Sequence, residues 1–324
     1  MKWGLWLTAA ALLFAGYLLA LPPEPDPGSA GAGGTASPSP SPGRQPHKSR
    51  KPHPKPPAPA TPVPTELPFG GLRIPPNLRL VAYYGTAGTG SLGVLGERSI
   101  PVMTQRLRAA AKPFARPGRP VQIVYELIVT VADGHPGEGR DFSHDIDRAK
   151  VQTFIDAAHR NQALLVLDLQ PGRDGFLEVA KRWAWALRDP WVSLALDPEW
   201  RVHGKQVPAR VIGSVTAAEV NRVGAWLNHL TATHELPDKL LLLHQFRTQM
   251  IRDIGRIADR PRLVEVQHVD GFGNRRQKLG TYHHVERHQQ FRMGFKLFYD
   301  EDTRLFPPWQ VLRIRPAVGF VSYQ

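Results

Sequence analysis

Asp197 and Glu199, in the run Val-Ser-Leu-Ala-Leu-Asp-Pro-Glu-Trp (192–200), are the side chains best spaced for chemistry. On a strand, residues i and i+2 share a face with Cα atoms about 6.5–7 Å apart. Two acids that close, partly screened from water, divide: one stays ionised and pushes the other's pKa upward. A protonated Glu beside an ionised Asp suits cleavage of a glycosidic bond, since one group protonates the leaving oxygen while the other steadies developing positive charge. Glu199 takes the acid role here, and Asp197 sets its pKa or stabilises a charged intermediate. The competing reading makes them a pair of solvated loop carboxylates, or acids bonded to neighbouring Arg201.

Other apolar runs also end in polar groups: Glu126; Asp168 and Gln170; His244 and Gln245; Gln267, His268 and Asp270; Lys296 and Tyr299. Acids and hydrogen-bonding groups from so many strands suit a sugar-like polyol. Glu126, Asp168, Gln170, His244, Gln267, Asp270, Lys296 and Tyr299 are the expected binding residues, with Trp200 and Tyr84 as stacking faces. Gly88-Thr-Gly-Ser-Leu-Gly93 fits a dinucleotide fingerprint, but no acid ends the second strand at the expected distance, Asp133 lying 40 residues beyond Gly93. A flexible loop over the site is the better reading. His284 and His288 have metal-compatible i,i+4 spacing, yet no Glu follows His283 or His284 as in zincins, and their helix faces outward. No Gly-x-Ser-x-Gly exists, because Ser214 sits in Ile-Gly-Ser-Val. Neither a metal nor a cofactor is expected.

Positioning these groups requires repeated strand–helix units. From Arg79, β-rich runs at 79–84, 121–131, 163–170, 192–200, 239–246, 263–271, 293–299 and 318–324 alternate with helix-like stretches. The helices are expected at 100–115, 146–161, 174–188, 216–235, 247–258, 274–290 and 303–312, the fourth opened by a Thr216-x-x-Glu219 capping box. This describes a (β/α)8 TIM-like barrel lacking its final helix. An open doubly wound sheet uses the same units and is the rival. In strand four the small Ser193 and Ala195 would face the barrel interior together with Asp197 and Glu199, and Leu194 and Leu196 would face the helices.

The remaining sequence sets the context. Of 32 prolines, 18 fall in residues 22–76, which read as a basic, disordered linker before a body at 77–324. Residues 3–21 carry no charge, follow Lys2 and would span about 28 Å as a helix. Leu18 and Ala20 make a poor cleavage site before Leu21-Pro22, which favours an uncleaved membrane anchor over a cleaved signal peptide. Either way the body is exported. Nucleic acid is therefore excluded as a partner, although the formal net charge is +13. The absence of Cys removes disulfides, thiolate zinc sites and a thiol nucleophile.

The Leu-Asp-Pro-Glu-Trp strand, together with an exported barrel on a Pro-rich linker, resembles bacterial cell-surface barrel glycosidases. Asp-x-Glu at the end of strand four is similar to that of the lysozyme-like and chitinase-like barrels. The likeness covers Asp197 to Glu199 and the architecture, and Val192 and Ala195 stand where the longer chitinase pattern has acids. The body is also similar to exported barrel proteins of high-GC Gram-positive bacteria, a likeness that implies no activity. Together these imply a monomeric extracytoplasmic glycoside hydrolase acting on an envelope polysaccharide or peptidoglycan. Its expected partners are a wall glycan or other anionic envelope polymer, and the membrane through the N-terminal helix. The alternative is a non-catalytic barrel that binds wall glycan.

Overall fold

The computed structural model describes residues 65–137 and 139–324. The apolar run 3–21 and the linker up to residue 64 lie outside the described residues. Among those described, no helix is long and apolar enough to cross a membrane.

Eight parallel strands close on themselves. They are strand one Arg79–Gly85, two Val121–Ala132, three Leu164–Leu169, four Val192–Leu196, five Lys239–Gln245, six Leu263–Val269, seven Arg292–Leu297 and eight Val318–Tyr323. Each pairs with its successor in sequence, and strand eight returns to strand one through Leu80↔Phe320 to Tyr83↔Tyr323. An open sheet would leave two edges unpaired. Among these eight strands none remains, so the fold is a (β/α)8 barrel.

The strand sequences explain the two-sided burial. One face of the wall (Leu80, Ala82, Val124, Val166, Ala195, Leu242, Val266 and Phe320) forms an inner apolar plug. The alternate residues, including Val81, Tyr125, Leu167, Leu194, Leu196, Leu243 and Phe295, pack outward with the helices. Strand four follows its expected alternation, with small residues inward and leucines outward. Leu196 is fully buried, so Leu196→Ala should cost about 2–5 kcal/mol of unfolding free energy in a denaturant titration.

Helices Ile100–Ala111, Arg148–Asn161, Phe176–Arg182, Ala184–Leu187, Ala217–Thr233, Arg275–Val285 and Pro308–Val311 fill the crossovers. Thr216 caps its helix by accepting the Glu219 N–H at 3.2 Å, but the Glu219 carboxylate accepts from Arg201 and the Phe176 N–H instead of returning to Thr216, so only half of the expected capping box forms. The stretch 174–188 is two helices that meet at Trp183. Tandem Pro307 and Pro308 shorten 303–312 to a single turn. No α-helix forms over 247–258. Two 3₁₀ turns and a two-residue strand replace it, because Asp253 sits in the left-handed region at φ 55° and a helix cannot pass through that conformation.

The body also begins earlier than residue 77. Leu67, Ile74 and Leu78 are buried in the inner cluster with Trp191, whose indole N–H donates to the Glu66 carbonyl at 2.6 Å. The Ile74 N–H donates to Asp238 at 3.2 Å. Residues 66–76 are therefore part of the fold and not linker. A chain starting at 77 loses Leu67 and Ile74, each worth about 1.5–3 kcal/mol on burial. It should melt well below a chain starting at 65, as calorimetry of the two would show.

Candidate active site

Inward parity, carried to the C-terminal ends of the strands, sets the site. Counting by twos from Ala82, Val124, Val166, Ala195, Leu242, Val266 and Phe320 arrives at Tyr84, Glu126, Asp168, Asp197, His244, His268 and Ser322. Gln170, Asp270 and Lys296 join them. Barrel enzymes place their chemistry at this end.

His244 is the hub. Its Nδ1 lies 2.8 Å from Asp270 Oδ2 and its Nε2 3.1 Å from Glu126 Oε1, with Asp168 Oδ1 at 3.7 Å. His268 places Nε2 2.9 Å from the Ser322 hydroxyl and Nδ1 3.5 Å from Glu126 Oε1. The Tyr84 hydroxyl donates to Asp168 Oδ2 at 3.0 Å and accepts from Gln170 at 3.3 Å. Lys296 Nζ stands 3.3 Å from the centroid of the Tyr84 ring. Glu126, Asp168, His244 and His268 have no exposed surface at all.

Electrostatics divides these groups. Burial opposes charge on His244, but hydrogen bonds to Asp270 and Glu126 and the charge of Asp168 outweigh it, and its pKa is raised well above the ordinary value. Burial would likewise raise Glu126 and Asp270, yet the facing imidazoles hold both below the usual carboxylate range. Asp168 is pushed up to about 6 by burial and by Glu126. Burial, then the neighbouring Asp270 charge, pushes Glu199 up to about 7, against Lys296, His244 and Arg247. Asp197 is itself raised well above the ordinary value, by burial and then by Asp168, Asp270 and Glu199.

Strand four therefore works differently from its sequence reading. Pro198 ends the strand and begins a 3₁₀ turn, Pro198–Trp200, so strand alternation stops at Asp197. Asp197 Oδ1 accepts the Glu199 N–H at 3.1 Å and thereby holds the turn that carries the acid. Asp197 is raised as well as Glu199, by burial first. Asp270 is the neighbouring acid that most raises Glu199.

Other expected residues lie elsewhere. Gln267 faces outward between Gln245 and the Val285 carbonyl, both at 2.7 Å, because its parity is opposite to that of Val266 and His268. Tyr299 follows the outward parity of Leu297 and stacks on Tyr323 with centroids 5.2 Å apart. Tyr84 is buried under Lys296 and offers no stacking face. Trp200 is half-buried in the turn beyond Glu199. The loop after strand one is anchored, not free: Leu95 is fully buried and its N–H donates to the Tyr84 carbonyl at 3.1 Å. His284 is exposed on its helix, which ends at Val285, before His288. His268, named in the sequence only as a polar strand end, and Ser322, not singled out there, both enter the site. A groove of about 570 Å³ lies outside the barrel, between residues 248–256 and 284–287, away from these carboxylates.

No protein-family model and no curated protein matches the chain. Solved structures that align with it include a family-5 (subfamily 4) endo-β-1,4-glucanase from Bacillus licheniformis. That alignment has 10% identity and TM-score 0.41, covering 75% of this chain and 53% of the enzyme. The chain thus spans about half the length of that enzyme. A family-5 xyloglucan-specific endo-β-1,4-glucanase from a metagenomic library aligns at 13% identity and TM-score 0.41, covering 76% and 86%. Likeness at this level assigns neither family nor activity. The barrel rests on the strand pairing described above.

Proposed function

We propose that the barrel is an extracytoplasmic glycoside hydrolase-like enzyme acting on a cell-envelope polysaccharide or peptidoglycan, with Glu199 as general acid. The observation that carries this reading is Glu199 itself. It is the half-buried acid at the rim of a carboxylate-rich barrel mouth, and its carboxyl keeps a proton up to about pH 7. Such a group can protonate a leaving glycosidic oxygen. Asp197 positions it through the turn hydrogen bond, and Asp270 supplies the nearby negative charge. Asp168, Gln170 and Lys296, expected to touch the sugar, are themselves buried. The uncharged run 3–21 and the Pro-rich tract support export and attachment facing the wall.

The test incubates the full-length protein and Glu199→Gln with fractionated wall polysaccharides and measures new reducing ends and retained polymer. Release by the native chain that vanishes in Glu199→Gln is the expected result. Retention of a wall polymer by both proteins, with release by neither, overturns the enzyme reading and leaves a glycan-binding module.

A further inference from the structure

Beneath Glu199, within strands two, five and six, three side chains present a metal-ligand arrangement that the acid chemistry does not use. We propose that Glu126, His244 and His268 hold one divalent transition cation at the floor of the barrel mouth.

Distances point to this first. Ligand-type atoms of the three residues all lie within 4.8 Å of one another, with Glu126 Oε1 at 3.1 Å from His244 Nε2 and 3.5 Å from His268 Nδ1. Metal–ligand bonds of about 2.0–2.1 Å imply ligand–ligand separations of about 2.9 Å at octahedral angles and about 3.4 Å at tetrahedral ones. The first separation lies within that range and the second just beyond it. His244 turns its other nitrogen, Nδ1, to Asp270 at 2.8 Å, a charge-assisted hydrogen-bond length.

Unmet valence is the second, independent observation. His268 Nδ1, Glu126 Oε2 and Asp168 Oδ1 are buried without a hydrogen-bond partner. The first two belong to the proposed ligands, and the third lies 3.7 Å from His244 Nε2. Buried polar atoms left unpaired are costly, and a cation satisfies acceptors from one central point.

The surrounding hydrogen bonds complete the case. Each imidazole turns one nitrogen toward Glu126 and secures the other: His244 through Asp270, His268 through the Ser322 hydroxyl. This is how outer partners orient metal-binding histidines. Two imidazoles with one carboxylate favour zinc, iron or manganese over calcium or magnesium. Glu199 and Asp197 stand outside this set. The cation can therefore be tested without the acid chemistry.

Zinc is the probe. The full-length protein is stripped with chelator, dialysed free of it and titrated with Zn²⁺ by calorimetry, with Tm recorded alongside. One zinc per chain and a rise in Tm are expected. His268→Ala should lose at least 100-fold in affinity and Ser322→Ala about 10–100-fold, while His284→Ala, on the exposed helix, should bind as the native chain does. Should His268→Ala not melt cooperatively, Ser322→Ala decides, because it leaves every proposed ligand in place. Absence of binding overturns the proposal. So does binding undiminished in both Ser322→Ala and His268→Ala, which would move the zinc to another histidine stretch such as His47–His53. Neither arm needs a glycan, so a failure of hydrolysis leaves this test unchanged.

Discussion

Replacing Glu199 by Gln should lower hydrolysis of a responsive wall glycan by about 10²–10⁴-fold, the usual contribution of general acid catalysis. Gln keeps the size and hydrogen-bonding capacity of Glu but has no transferable proton. Glu199 lies in a short turn held by the backbone bond to Asp197, a bond that the substitution leaves in place. Stability should accordingly be preserved. The native carboxyl holds its proton to about pH 7 against an ordinary value of 4.5, so the folded state binds more protons than the unfolded state in that window. Stability linked to Glu199 thus falls as pH rises from 4.5 to 7 and stays lowered above it. At pH 8 the Gln variant should melt at the native temperature or slightly above it. The native pH–rate profile should lose activity above about pH 7, where the acid deprotonates. A variant with native rates at every pH would remove Glu199 from the mechanism.

Deleting strand eight, residues 318–324, should abolish cooperative folding. Val318, Phe320, Val321 and Tyr323 are buried, each worth about 1.5–3 kcal/mol. Their loss alone approaches the 5–15 kcal/mol that holds a typical domain together. Two hydrogen-bonded ladders go with them, to strand one and to strand seven, which opens the barrel and exposes two edges. His268 also loses its Ser322 partner. The check is a thermal melt followed by near- and far-ultraviolet circular dichroism. A soluble truncation with a sharp transition would show that closure is not what stabilises this body.

The barrel was legible because every strand carries a pattern that burial demands. Small inward Ser193 and Ala195 against bulky Leu194 and Leu196 can be read from side-chain alternation alone. The missing fifth crossover helix was not legible, because Met250, Ile251, Ile254 and Ile257 keep helical spacing and are all buried. Only the left-handed Asp253 between them forbids the helix, and an Asp does not announce that conformation. In the site, strand ends were found but faces were misjudged. Gln267 and Tyr299 have outward parity, which counting by twos from Val266 and Lys296 would have revealed, and the same count brings in His268. Pro198 was the remaining signal: it donates no hydrogen bond, and its position between Asp197 and Glu199 marks where the strand becomes a turn.

The measurement that bears most directly on the central claim is the titration of Glu199 itself. Side-chain carboxyl ¹³C shifts of Glu-labelled native protein, compared with Glu199→Gln to assign the signal, report its protonation without any substrate. Chelator is kept present so that no bound cation adds its charge. The account predicts a carboxyl that titrates near pH 7, under the combined influence of burial, Asp270, Lys296, His244 and Arg247. A signal that titrates near 4.5, the value of an ordinary solvated Glu, would contradict it, since Glu199 would then have no proton to give at neutral pH.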